Sequence, residues 1–65
     1  MPDAGLTPRE REVVELVAHG LEDREIAARL LMSVHTVRTH LRHVRAKTGP
    51  TNRVELARLW ELGRL

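Results

Sequence analysis

Residues 23–48 read DREIAARLLMSVHTVRTHLRHVRAKT, and the fold turns on how little separates the two halves of this stretch. Ile26, Ala27, Leu30 and Leu31 recur at the i, i+1, i+4, i+5 spacing of one helical face. Val34, Val37, Leu41 and Val44 follow at steps of three, four and three, which confines them to a helical sector of about 80°. Between the two patterns lie only Met32 and Ser33, and serine is a favoured helix N-cap. Two helices so closely joined must meet at a sharp turn, the spacing of a helix-turn-helix.

Outward from this unit, Thr7-Pro8-Arg9-Glu10 carries three agreeing helix-start signals. Threonine is a good cap, proline suits the first helical position, and a glutamate three residues after the cap can reach back to the cap's N–H. Val13, Val14, Leu16 and Val17 supply the apolar side of that helix, and His19-Gly20 ends it. Glu22 or Asp23 caps the second helix. Thr48-Gly49-Pro50 stops the third, and Thr51 or Asn52 is placed to cap a fourth running through Val54, Leu56, Ala57, Leu59, Trp60 and Leu62. The expectation is a single all-α domain over residues 1–65, with helices at roughly 8–19, 23–31, 34–48 and 52–62. No segment alternates as a half-buried strand does.

At 65 residues the chain sits near the size at which one core is just sufficient to fold alone. It has no cysteine, which excludes a disulfide framework or thiolate metal site and fits a reduced compartment. No apolar run approaches the roughly 18 to 20 residues that span a bilayer, and the N-terminal residues lack a secretory pattern. The expected location is therefore the cytoplasm, with no membrane partner.

The net charge of +2 is small, but its distribution is uneven. Residues 1–32 sum to −3, residues 33–48 to +4 with no acid among them, and residues 49–65 to +1. A local excess of this kind suits a polyanion or an acidic protein surface. The third helix sets its cations opposite its apolar stripe: His35, Thr39, Arg42, His43 and Ala46 are central on the polar side, Thr36 and Arg38 lie on its shoulders, and Arg45 lies near the stripe. Such a helix has the width and the donors to enter the major groove of double-stranded DNA.

Arginine can bridge guanine O6 and N7 with two donors, and threonine can offer a methyl or a hydroxyl to a base edge, so Arg38, Thr39 and Arg42 are the candidate base readers. Thr36, His40, Arg45 and Lys47, nearer the edges, are candidate phosphate contacts, joined by Arg24 and His43. The alternative for any charge run is a solvated amphipathic face. His40 and His43 are neighbours on the helix, but no cysteine or well-placed carboxylate in the segment completes a metal site. With no tyrosine, no cysteine and no phosphate-binding glycine loop, neither an enzymatic activity nor a cofactor is expected.

On the fourth helix, Leu56, Ala57 and Trp60 form one apolar side, yet Val54 and Leu59 lie well away from it. Two readings are open. Val54, Leu56, Arg58, Leu59 and Leu62 form a dimerisation surface with a second copy, or the core contact is wider and the tail Leu62-Gly63-Arg64-Leu65 folds back over it.

LTPREREVVELVAHGL, REIAARL, SVHTVRTHLRHVRAKTG and NRVELA, in this order and spacing, resemble the LuxR-type (GerE-type) helix-turn-helix domain of bacterial transcription regulators across nearly the whole chain. The resemblance implies four helices, a third that reads the major groove and a fourth that dimerises on DNA. It places Arg38, Thr39 and Arg42 at base-contacting positions, and Thr36-Val37-Arg38 with His40 in its hallmark. The chain departs from the pattern at Glu22-Asp23, where a serine-like residue and an asparagine are usual, and at Thr48 and Pro50, usually apolar. A carboxylate near the expected DNA backbone weakens phosphate contact, and the polar junction loosens the link between the third and fourth helices. Two other functions share this fold: an interaction module that binds an acidic partner or a full-length regulator, and a sigma-factor-like module that touches RNA polymerase as well as promoter DNA.

Overall fold

A computed structural model describes residues 5–49 and 52–65. Four helices follow in order: α1 (Pro8–Ala18), α2 (Asp23–Leu30), α3 (Val34–Thr48) and α4 (Arg53–Glu61). No strand occurs among the described residues. Each helix starts where a side chain supplies the acceptor that its first turn lacks. Thr7 Oγ1 accepts from the Glu10 N–H at 3.1 Å and Glu10 Oε1 accepts from the Thr7 N–H at 2.9 Å. Ser33 Oγ accepts from Thr36 N–H at 3.0 Å, and Asn52 Oδ1 from Glu55 N–H at 2.8 Å. At α2, Glu25 Oε1 accepts from the N–H of Glu22, the capping residue. Pro50, and Thr51 as the alternative cap of α4, lie outside the described residues.

Three helices end one residue before the ends expected from sequence, and for one reason. After α1, Gly20 donates to Val17 O and Leu21 to Leu16 O. After α4, Gly63 donates to Trp60 O and Arg64 to Leu59 O. Both are Schellman closures built on a left-handed glycine, with φ of +89° at Gly20 and +70° at Gly63. The chain leaving α2 closes identically, with Leu31 donating to Ala28 O and Met32 to Ala27 O, but its left-handed residue is Leu31 at φ 57° and ψ 47°. A side chain at such a position costs about 1–2 kcal/mol. The conformation also turns Leu31 out of the helical face assigned to it from spacing: it is 92% exposed, while Ile26 and Ala27 are buried and Leu30 packs partly against the core.

The core is assembled from Leu6, Val13, Val14, Leu16 and Val17, then Ile26 and Ala27, then Val37, Leu41 and Val44, and finally Leu56 and Leu65. α1 packs against all three other helices, and α2 against α3, while the backbone of α4 lies close to α1 and reaches α2 through the Arg53 side chain. The buried Leu65 brings the tail back onto α1, where Arg11 Nη1 donates to its carbonyl at 2.7 Å. The Arg11 guanidinium also lies 5.3 Å from the centre of the Trp60 ring. Of the two readings of the apolar fourth helix, the folded-back tail is thus present. Leu56 is a correction: it is wholly buried in the chain's own core and has no surface to offer a second copy. Leu59 and Trp60 pack partly against the core, while Val54 and Leu62 remain exposed at 80% and 57%.

Candidate nucleic-acid interface

The caps at Glu22 and Ser33 and the tight closure at Leu31 fix α3 against α2, and its stripe of Val37, Leu41 and Val44 is buried. Everything opposite that stripe is turned outward. His35, Arg38, Arg42, His43 and Ala46 are exposed, and Thr36, Thr39, His40 and Arg45 are half-buried. Arg24 is exposed on α2. The Thr36 hydroxyl is shared with Ser33 Oγ at 2.9 Å, which ties it to the start of the helix.

Arg38, Arg42 and Arg45 converge with Arg53 of α4 on one cleft of about 370 Å³, whose other lining residues are Leu41 and Asp23. Four guanidinium groups around one carboxylate leave a local excess of positive charge. Arg45 Nε is buried and has no hydrogen-bond partner among the described residues. A buried donor left unpaired carries a desolvation cost that an incoming acceptor removes.

Asp23 is held from two sides. Arg53 Nη1 donates to its Oδ1 at 2.6 Å and Arg38 Nε to its Oδ2 at 3.3 Å, while Arg53 Nη2 donates to Leu21 O at 2.9 Å. Burial alone raises the Asp23 carboxyl, but the hydrogen bond and charge of Arg53, followed by those of Arg38, outweigh it and hold the group below its ordinary value. The residue that sequence marks as a liability toward phosphate is therefore an ionised partner of two arginines.

At the other end of α3, a second carboxylate engages its cations. Lys47 Nζ donates to Glu10 Oε1 at 2.7 Å and to Gly5 O at 3.2 Å, so its charge is spent on the start of α1. His43 Nδ1 lies 4.0 Å from the other Glu10 oxygen. Glu10 is only 3% exposed. Its burial raises the carboxyl, but Lys47, the Thr7 N–H and His43 together bring it below the ordinary glutamate value. Lys47 is thus tied to Glu10, whereas Arg38, Arg42 and Arg45 meet at one surface. Sequence reasoning gave Arg53 no role, because its partners Asp23 and Leu21 are 30 and 32 residues away and no local spacing announces such a pair.

A short α2, a tight turn and a longer α3 with a cation-rich outer side define a helix-turn-helix DNA-binding domain. The sequence pattern described as bacterial regulatory proteins, luxR family, matches residues 4–60, and the chain belongs to that family. It is 57% identical over 51 residues to a Mycobacterium bovis protein whose name marks it as an HTH-type transcriptional regulator, covering 78% of this chain and 6% of that one. It is 48% identical over 56 residues to the monoamine regulon transcriptional regulator of Klebsiella aerogenes, covering 85% of this chain and 25% of the relative. With the nitrate/nitrite response regulator protein NarL of Escherichia coli it shares 44% over 52 residues, covering 80% and 24%. The chain thus spans a quarter or less of these relatives. No helix among the described residues is long and apolar enough to cross a membrane.

Proposed function

We propose that the chain binds double-stranded DNA sequence-specifically as the output domain of a bacterial transcription regulator, with α3 in the major groove. The observation that carries this reading is the gathering of Arg38, Arg42, Arg45 and Arg53 around a single carboxylate on the open side of α3. Arg38, Thr39 and Arg42 read base edges. Arg24, Thr36, His40, His43 and Arg45 set register on phosphates, and an acceptor oxygen there would satisfy the orphaned Arg45 Nε. A second copy meets the first through Val54 and Leu62, with Arg58 beside them, so that two recognition helices enter successive major grooves roughly 34 Å apart. Pairing of Asp23 with two arginines weakens one half of the Glu22-Asp23 support for an acidic-partner module.

The test is an amide-resolved NMR titration with a mixed-sequence duplex at two salt concentrations, in the range of about 10⁻⁴ to 10⁻⁶ M suited to non-specific binding. Shifts concentrated at residues 33–46 that fade with salt are expected; no shift at low salt would hand the basic face to a protein partner. Sedimentation on a two-half-site duplex tests the α4 contact. Val54→Glu is expected to leave one protomer bound where the wild type places two.

A further inference from the structure

The only acid in the arginine-lined cleft has no task in the reading above. Its geometry supplies one. Asp23 does not swing freely, because Arg53 grips one of its oxygens and is itself fastened to the Leu21 carbonyl. The other oxygen accepts from the Nε of Arg38, whose side chain is 67% exposed.

A guanidinium can present two donors to a flat acceptor pair in two ways: side-on, through Nε and one terminal nitrogen, or end-on, through both terminal nitrogens. With Nε committed to Asp23, Arg38 retains the end-on fork alone. That fork matches the O6 and N7 edge of guanine. Without the carboxylate, a long exposed side chain would lose that aim and spend part of its time on neighbouring phosphates.

We propose that Asp23 is a specificity-determining positioning residue, which holds Arg38 by its Nε so that the terminal fork faces a guanine edge. The inference rests on the proposed docking of α3 in the major groove. Asp23 touches no base itself. It works through Arg38, and Arg53 works through it, so the chain of contacts runs from α4 through α2 to the reading surface of α3. The carboxylate also repels phosphate, which lowers affinity for every sequence. Its removal therefore moves two quantities in opposite directions: non-cognate binding rises while base discrimination falls. A residue that merely stabilised the domain would lower both.

The experiment is selection from a pool of duplexes with a randomised central region, run with the wild-type chain, Asp23→Asn, Asp23→Ala and Arg38→Ala, each first checked for native helical content. The wild type is expected to select guanine at a position that becomes indifferent in Arg38→Ala. Asp23→Ala is expected to weaken that preference by about three- to tenfold, the range of an ordering cost paid at binding rather than beforehand. Asp23→Asn, which keeps an acceptor for Nε but not the charge, is expected to lie between. Both Asp23 variants should bind a non-cognate duplex more tightly than the wild type. A wild type that selects sequence, with Asp23→Ala selecting it identically or losing affinity equally everywhere, overturns this inference alone. A wild type that binds the pool without selecting overturns sequence-specific docking, and this inference with it.

Discussion

Two carboxylates draw cations from the same helix, and they do different things. Glu10 takes Lys47 at the C-terminal end of α3, at 2.7 Å, and is buried within its own capping box. Asp23 takes Arg38 nearer the N-terminal end, at 3.3 Å, on a surface where the arginine stays mostly exposed. The first pair fastens α3 to α1, and the charge is consumed. The second leaves most of the guanidinium free and constrains only how it points. Equal formal charges thus divide into a pair that ties the scaffold and a pair that leaves its arginine at the surface, according to how much water surrounds each.

The sharpest break of that comparison is by substitution of the acids. Glu10→Ala removes a buried ion pair and half of a capping box, and is expected to cost about 2–3 kcal/mol in urea denaturation. Asp23→Ala is expected to cost under about 1 kcal/mol. The reverse ranking would dissolve the distinction. Next are the cations. Arg42→Ala is expected to cost about 1–3 kcal/mol on the preferred duplex with little change in folding. Lys47→Ala should show its loss in the denaturation curve and leave the salt slope of DNA binding nearly unchanged.

Acid titration probes both carboxylates at once. Both are held below their ordinary values, 4.5 for the glutamate and 3.8 for the aspartate. A group depressed on folding contributes stability that is fully present above its unfolded value and is lost as the pH falls through the lower folded value. Denaturation midpoints should therefore hold above pH 4.5 and decline below it, and Glu10→Gln should flatten that decline more than Asp23→Asn. The smallest effect concerns the turn between the two helices. Leu31→Gly relieves a left-handed leucine whose side chain touches little, and is expected to gain under about 1 kcal/mol after glycine's greater freedom in the unfolded chain is counted.

Much of this molecule is legible in its sequence because its instructions are local. Thr7, Ser33 and Asn52 cap within three residues of the groups they serve, and the Val37, Leu41 and Val44 stripe follows from helical period alone. What sequence misassigns is decided by geometry or by distance along the chain. Leu31 fits an apolar spacing but adopts a backbone conformation that throws its side chain outward. Leu56 belongs to an apolar run that cannot show which of its members the tail and α1 will cover. The pairs that sort the cations of α3 join residues 15 and 37 apart, beyond any periodic signal.

Trp60 is the only aromatic residue of the chain, with no tyrosine or phenylalanine beside it. Its ring lies under the Arg11 guanidinium, where α4 rests on α1. The near-ultraviolet absorbance and intrinsic fluorescence of the protein therefore come from one place. A cation over an indole and partial shielding from solvent both shape its emission, so the signal follows the closure of α1 on α4. An unlabelled sample thus carries an optical gauge of its own scaffold.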